Sequence, residues 1–300
     1  MENVNTKITD RLMIVRLGIH QWYPTKHDKA ATQGLADLHG VDPVRLGKVI
    51  KNLVNLKSIE PLKQRCRRLR NEFHAMTAPW EDGGLRALPA EMYFDFVEML
   101  KDGIREIEAL ADAYKIEYAN EIERARVELN GLFNENDYPR PEQMRAMFSV
   151  DYTFKPVPNV EDVRVWGIGD QAAADIEQEL RSSLEAQMVE AQAHVVNQVI
   201  ERGWEFVAKV NKFSDQVHET DGKGVRMYDT ALTNIRDVIT LVLTGLNFTG
   251  DPELTKVAKD LKVALKGVNI PKLKTSQSTR DKSTADVEKV LNKFQGVYGS

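Results

Sequence analysis

The sequence predicts a mainly α-helical protein, in which two long antiparallel helices form a coiled-coil-like stalk with a small β-hairpin and shorter helices packed around one end. Three observations support this fold class. Apolar residues recur every three or four positions over most of the 300 residues. The period changes to two only between Phe148 and Ile168. Glycine and proline, at 18 and 11 residues, are too few for a linker array or a collagen.

Four regions are predicted along the chain. They are an N-terminal helical region with a basic face (1–88), a long helical hairpin (89–219) with a short β-ribbon (about 148–168), C-terminal helices (220–267), and a basic linker with a terminal helix (268–300).

The N-terminal region is expected to contain two helices and a loop. Asp42 before Pro43 is typical of an N-cap followed by the first helical residue, and predicts a helix to about Leu56. A second helix is predicted from Ser58 to Met76. The segment Thr77–Leu88 is rich in glycine and proline and is interpreted as a loop.

Two very long helical patterns follow. One opens at Pro89, and the other runs from about Asp170 to Val217. At 1.5 Å per residue, a helix of forty-odd residues is about 65 Å long, more typical of a coiled-coil arm than of a globular helix. Antiparallel packing is the simplest way to bury both apolar stripes. Gly103 and Gly203 are interior weak points.

The β-ribbon is predicted from alternating apolar residues at Phe148–Phe154 and again at Val163–Val165. Three shorter helices follow it: one covers about Arg226–Leu246, one starts at Asp251 and stops before Gly267, and the last begins at Ser283 with a capping-box pattern. The polar segment 268–282 is expected to be a mobile linker.

The overall composition excludes several classes of protein. The 41 basic and 45 acidic side chains give a net charge of −4, which excludes a globally basic nucleic-acid binder and a disordered acidic chain. The longest apolar stretch, Val238–Leu246, is about half of the roughly 20 residues that a membrane span needs. The polar start MENVNTKITD is unlike a signal peptide. We therefore expect a cytoplasmic protein without a membrane partner.

The motifs of the sequence predict neither an enzyme nor a cofactor. The segment Gly167–Ala172 resembles a dinucleotide fingerprint, but Ala172 replaces the third glycine and no second strand follows, so a strand-to-helix turn is favoured. Gly40 and Gly47 are too far apart for a phosphate loop, and Val49 stands where that loop needs Ser or Thr.

No metal site is predicted. The six histidines include no pair at the helical spacing of four. His20 and His27, near Asp28, could meet at a metal, but solvated or hydrogen-bonded histidines are favoured. Cys66 lies on the apolar stripe of its helix and is interpreted as a buried thiol, and a single cysteine excludes an intramolecular disulfide.

Two basic segments stand out against the near-neutral total. Nine bases and one acid give Arg45–Arg70 a charge of +8, and eight bases and two acids give Lys256–Lys282 a charge of +6. Such faces either neutralise phosphates or form salt bridges with the acidic long helix or an acidic partner. The residues nominated for nucleic-acid binding are Lys48, Lys51, Lys63, Arg65, Arg67, Arg68 and Arg70.

A second nominated set consists of residues expected to contact a partner protein. It contains Trp80, Arg86, Tyr138, Phe154 and Trp166. Packing within the core or anchoring of loops is the alternative interpretation of the aromatic members.

A series of short motifs follows one another along the chain: Ile8–Arg11, Gly47–Lys51 with Leu53, Ala78–Gly83, Arg86–Pro89, Asp137–Pro139, Phe148, Phe154–Pro158 and Val163–Val165. In this order they resemble the motifs of a domain family of unknown function encoded mainly by tailed bacteriophages and prophages. The resemblance covers roughly residues 8–170 and, weakly, the second long helix. These are family markers, so the resemblance implies no catalytic residue.

Members of that family are often encoded near a MoxR- or cobaltochelatase-like AAA+ ATPase. The resemblance therefore implies a non-enzymatic phage accessory or assembly protein of the host cytoplasm, acting as adaptor, substrate or regulator of such an ATPase. We also expect the protein to self-assemble into a homo-oligomer through its long helices. The alternative is a protein that binds DNA or RNA in phage replication, recombination or host takeover.

Overall fold

The computed structural model describes residues 11–81, 83–157, 170–220, 230–247 and 249–298. The chain forms two compact units, each assembled from segments that are distant in sequence. Unit 1 contains Met1–Arg16, His74–Phe94 and Thr153–Ser300, and unit 2 contains Leu17–Phe73 and Asp95–Tyr152.

Helices account for most of the described residues, so the predicted mainly α class is confirmed. The strands are β1 (Leu12–Ile19), β2 (Thr25–His27), β3 (Ile50–Asn52), β4 (Ala78–Glu81), β5 (Leu85–Pro89) and β6 (Val150–Pro156). The helices are α1 (Lys29–His39), α2 (Pro43–Leu46), α3 (Glu60–Ala75), α4 (Tyr93–Leu129), α5 (Met144–Met147), α6 (Asp170–Thr220), α7 (Thr230–Leu241), α8 (Pro252–Ala264), α9 (Ile270–Thr275) and α10 (Gln277–Tyr298).

Short strands form two sheets. The larger sheet has the order β4-β5-β1-β6, and β1 and β4 both pair antiparallel with β5. The smaller sheet pairs β2 with β3. Of these strands, β6 lies in the predicted ribbon. The second strand predicted there, at Val163–Val165, lies outside the described residues.

The predicted loop Thr77–Leu88 is instead a β-hairpin of β4 and β5. Gly83 and Gly84 have φ angles of +85° and +84°, in the left-handed region that glycine adopts without strain. They turn the chain so that Ala78 pairs with Ala87 and Glu81 with Leu85. The composition correctly indicates a turn, but the turn occupies only the middle of the segment.

The helix predicted from Asp42 to Leu56 is wrong beyond its first turn. Asp42 does cap α2, because its carboxylate accepts a hydrogen bond from the Val44 N–H at 2.8 Å. The chain then leaves the helix at Gly47, where φ is +94°. Lys51 pairs with Lys26 across β3 and β2, and this long-range pairing outweighs the local helical pattern.

Unit 2 is built on α3 and α4, as their apolar periodicity predicts. The stripe Leu62, Cys66, Leu69 and Phe73 of α3 is buried, and so is the stripe that runs along α4 from Phe96. A β-carbon at Gly103 would lie only 2.6 Å from Leu69 Cδ1, so this glycine permits a close approach between the two helices. Burial raises the pKa of the Cys66 thiol, in agreement with the predicted structural role.

Unit 1 buries the stripe of α6 against α10, α7 and β4. Gly203 permits close packing here, since its β-carbon would lie 2.7 Å from Leu291 of α10. The C-terminal helices are themselves amphipathic and cover this stripe within unit 1. The antiparallel packing of the two long helices concerns elements of different units and stays a prediction.

The C-terminal segment differs from its prediction in two places. The expected linker 268–282 contains α9 and the start of α10. Ser283 is an interior residue of α10 rather than a cap, and its buried hydroxyl donates to the Arg280 carbonyl oxygen at 3.0 Å. Asp251 is the predicted N-cap of α8 and accepts from the Glu253 N–H at 2.8 Å.

Candidate functional site

Lys51, nominated for phosphate binding, is buried in an ion-pair cluster of unit 2. Its ammonium lies 2.8 Å from the Asp137 carboxylate and 3.3 Å from that of Asp28. It also donates to the Leu132 carbonyl oxygen at 2.7 Å. The side chain is 8% exposed. These partners use the three donors of the ammonium, so Lys51 holds the fold of the unit.

Electrostatics keep this cluster charged. The hydrogen bond to Asp137 raises the pKa of Lys51 although burial opposes it. Burial would raise the pKa of Asp137, but hydrogen bonds from Lys26 and Lys51 outweigh it and the pKa is lowered. The Ala31 backbone N–H lowers the pKa of Asp28. Each group therefore stays ionised at neutral pH because its partners are ionised.

Three nominated arginines of α3 form salt bridges with acids of unit 2. Arg65 is the most buried, with its side chain 10% exposed. The pairs are Arg65 with Glu72 and Glu106, Arg67 with Glu60, and Arg68 with Glu72. Because Glu106 lies on α4, the basic face of α3 partly neutralises the acidic long helix. These contacts favour the salt-bridge interpretation of the segment over phosphate binding.

The remaining bases of that nominated set are more accessible. Lys48 lies in the connection after α2 and is exposed, and Arg70 is exposed on α3. Lys63 is half-buried, with its ammonium 5.7 Å from the centroid of the Tyr23 ring. Since the side chains of Lys51 and Arg65 are only 8% and 10% exposed, the seven residues do not present one common basic surface.

Of the residues predicted to bind a partner, Trp80 is buried and Arg86 is partly buried, both in unit 1. Trp80 is 4% exposed and lies on β4, which packs against α6. The Arg86 guanidinium donates to the Thr77 hydroxyl at 2.6 Å and to the Thr77 carbonyl oxygen at 2.7 Å. Burial lowers the pKa of Arg86 to about 10. Trp80 therefore serves packing and Arg86 anchors the hairpin, and a role of either side chain in partner binding stays a prediction.

The other nominated aromatic residues also have intramolecular neighbours. Tyr138 is 9% exposed and stacks on Phe133, with ring centroids 5.1 Å apart. Phe154 packs against Tyr93 at 5.5 Å. Trp166 lies outside the described residues, as do Gly167–Gly169 of the glycine-containing turn.

The histidines do not assemble a metal centre in the described part of the chain. His20 pairs with Asp151 at 2.9 Å, whereas His27 contacts the Thr32 hydroxyl at 3.0 Å. Within the described ranges, no group of three or more His, Cys, Asp or Glu side chains is arranged to hold an ion.

A large apolar groove lies along one face of α6 in unit 1. Its volume is about 950 Å³, within the range of ligand-binding clefts. The apolar side chains lining it are Met188, Val189, Ala193, Val196 and Ile200. Thr249 and Gln295 contribute from neighbouring segments. Val189 is 70% exposed, so the described residues leave this face open.

Acidic side chains accompany the groove. Glu185 lines it. Glu179 lies about five helical turns before the lining residue Asn197, and Glu190 lies about two turns before it. Whole numbers of turns place both glutamates on the same edge of α6 as Asn197. Between residues 170 and 200 there are six acids and one base. That base, Arg181, is paired with Glu177 at 3.1 Å. The groove is therefore apolar with an acidic border.

The groove also contains an unsatisfied amide. Gln192 lines it, and the side-chain nitrogen and oxygen are buried without a hydrogen-bond partner among the described residues. Buried polar atoms are usually paired, so this amide is an exception beneath the groove surface.

Sequence reasoning missed this groove because it assigned α6 one buried stripe. A signal was present: Val195 and Val196, and then Val199 and Ile200, are adjacent apolar pairs. One member of each pair extends the buried stripe, and the other forms a second apolar column. Which column stays uncovered depends on where α7 and α10 pack.

Comparisons with protein-family models, with curated proteins and with solved structures found no match to this chain. Among the described residues, no helix combines the length and the apolar character that crossing a membrane requires.

Proposed function

We propose that this chain is a non-enzymatic accessory protein that binds a helix of a partner protein in the groove of α6. The proposal rests on one observation, the open apolar groove along α6, whose volume is about 950 Å³. An amphipathic helix that inserts its apolar side into such a groove is a recurring mode of protein recognition.

The acidic border favours a partner helix with basic flanks. Glu185 and Glu190 would face Lys or Arg residues beside the apolar side of the incoming helix, and such complementarity accelerates association and excludes acidic competitors. The lining residues Glu185–Ile200 span about 23 Å of α6, which accommodates a helix of about four turns.

The AAA+ ATPase suggested by the family resemblance is the first partner to test, and the bacterial cytoplasm is the proposed location. The nucleic-acid alternative has less support, because Lys51 and Arg65 are buried in ion pairs. In this proposal the Arg45–Arg70 segment stabilises unit 2, and binding occurs in unit 1.

The groove is tested with matched substitutions. Val189 and Val263 are 70% and 71% exposed, but only Val189 lines the groove. Val189→Asp places a charge on the apolar face, whereas Val263→Asp places the same charge on α8. Because both positions are exposed, both variants should keep the melting temperature of the wild type within a few degrees.

The probe is a labelled helical peptide of about 15 residues with an apolar side and Lys flanks, the length that matches the groove. Fluorescence anisotropy should show binding that weakens at least roughly tenfold in Val189→Asp and stays unchanged in Val263→Asp. A peptide with Glu in place of Lys should bind more weakly. If the peptide binds both variants equally, or does not bind the wild type, the groove is not the binding site for a partner helix.

The ATPase assignment has a separate test by size-exclusion chromatography with light scattering. Co-elution with the purified ATPase, lost in Val189→Asp but kept in Val263→Asp, would support it. If the protein elutes as a monomer and does not co-elute with the ATPase, the ATPase is not its partner. Self-association that Val189→Asp abolishes would instead assign the groove to a second copy of the chain, against the proposed partner helix.

A further inference from the structure

A second, polar cavity of about 240 Å³ lies in unit 1, where α8 ends and α9 and α10 begin. We call it the lysine cavity. Its charged and hydroxyl-bearing residues include Lys266, Lys272, Lys282, Ser278, Thr279 and Asp286. It is remote in sequence from the lining residues of α6 that define the groove.

Local structure brings the three lysines together. Gly267, with φ at +75°, turns the chain after α8. Asn269 caps α9 by accepting from the Lys272 N–H at 2.9 Å, and the Lys272 ammonium reaches back to the Gly267 carbonyl oxygen at 3.1 Å. The start of α10 then returns Lys282 to the same cavity. These folded turns replace the linker that the sequence predicts.

The charges in the lysine cavity are unbalanced. Three lysines, all exposed, and one carboxylate, that of Asp286, line the cavity, which gives its lining an excess charge of +2. Within the described part of the chain, none of the three ammonium groups forms an ion pair within 4.0 Å. This differs from Lys51, whose ammonium is held between two carboxylates. The protein thus leaves a concave positive site without internal neutralisation.

We propose that the lysine cavity binds the phosphate group of a small phosphorylated molecule. Lys266, Lys272 and Lys282 would supply positive charge, and the Ser278 hydroxyl would donate a hydrogen bond to a phosphate oxygen, whereas the Thr279 hydroxyl already donates to that of Ser276 at 3.0 Å. The cavity is smaller than the roughly 300 Å³ at which clefts for drug-sized ligands begin, so its size favours a phosphate or a small phosphomonoester.

Phosphate groups also occur on nucleic acids, and the experiment separates the two sources. The ¹⁵N-labelled full chain is titrated with inorganic phosphate at constant ionic strength, and amide shifts of Ser278 and Thr279 are followed. We expect saturable shifts centred on the cavity. A short oligothymidylate is added as a competitor. It should displace inorganic phosphate only when the concentration of its phosphate groups is comparable to that of inorganic phosphate.

Matched double variants test the residues. Lys272→Ala with Lys282→Ala removes two charges from the cavity, and Lys262→Ala with Lys274→Ala removes two from exposed positions of the same segment outside it. The first variant should lose at least roughly tenfold in phosphate affinity, because hydrogen bonds to charged groups contribute that much. The second should stay close to wild type. Melting curves confirm that both fold.

Three outcomes would overturn the proposal. The first is the absence of saturable phosphate shifts in the wild type. The second is an equal loss of affinity in the two double variants, which would indicate a diffuse basic surface. An oligothymidylate that displaces phosphate at about a hundredfold lower concentration, with the steep salt dependence of several phosphate contacts, would assign the site to nucleic acid instead.

Discussion

At the scale of single residues, the same side-chain type has opposite roles in this protein. Lys51 is 8% exposed and bound by two carboxylates, whereas Lys48, three residues earlier, is exposed. Removing one partner of a buried ion pair leaves the other charge without compensation, and removing an exposed charge leaves nothing unpaired.

We therefore expect Lys51→Met to destabilise the protein by about 3 kcal/mol, because Asp137 would remain buried with only Lys26 as its partner. Lys48→Met should change the free energy of unfolding by less than about 0.5 kcal/mol. Urea denaturation of both variants and the wild type measures the difference. Similar midpoints for the two variants would show that the cluster contributes little.

At the scale of secondary-structure elements, the interior glycines of the long helices have a packing role. The sequence correctly locates Gly103 and Gly203 inside helices, where glycine costs about 1 kcal/mol relative to alanine. The structure supplies the reason for them, which is the close approach of α3 to α4 and of α10 to α6.

Gly103→Ala should therefore destabilise unit 2 despite the better helix propensity of alanine. The new methyl would lie 2.6 Å from Leu69 Cδ1, and Leu69 is fully buried and cannot move aside freely. Overpacking costs about 1–3 kcal/mol, which exceeds the propensity gain. Gly34→Ala in α1 is the control: it has open space and should gain about 0.5–1 kcal/mol. Thermal unfolding that ranks Gly103→Ala above wild type would refute the close-packing argument.

The elements that the sequence predicts correctly are those with a local cause. The stripe of α3 and the Asp251 cap of α8 depend on residues within one or two turns. The strands β2 to β5 have only three to five residues each, and the pairing of β1 with β5 depends on partners such as Leu12 and Pro89, far apart along the chain. The helix expected after α2 fails for the same reason.

At the scale of the whole molecule, the net charge of −4 combines charges that are paired within the protein with charges that are exposed on its surface. Several carboxylates have lowered pKa values: hydrogen bonds outweigh burial in each. They are Asp28, Glu60, Asp137 and Glu205. Such groups bind a proton more readily in the unfolded chain, so acid favours unfolding.

We expect the melting temperature to fall as the pH decreases from about 5 toward 3, through the lowered pKa values of these carboxylates. His194 should start the fall near pH 6.5, because burial lowers its pKa and its protonation favours the unfolded chain. Burial raises the pKa of Asp237, so its protonation favours the folded chain. This single group opposes the several carboxylates whose protonation favours unfolding. Circular dichroism melts across this range measure the profile.

Asp137→Asn provides the comparison for that profile. The variant should melt lower than the wild type at pH 7 and lose less stability on acidification, since the proton-linked contribution of Asp137 is absent. Parallel pH profiles for the variant and the wild type would mean that Asp137 does not contribute to acid sensitivity.

The helical class, the long helices and the burial of Cys66 follow from the sequence, because a period of 3.6 residues and a cap are local properties of the chain. The role of each surface depends on the three-dimensional arrangement of the segments. The tertiary structure placed Lys51 between two carboxylates, gathered Lys266, Lys272 and Lys282 at one cavity, and left one apolar column of α6 open. The physical reason is that burial and charge compensation depend on segments brought together from distant parts of the chain.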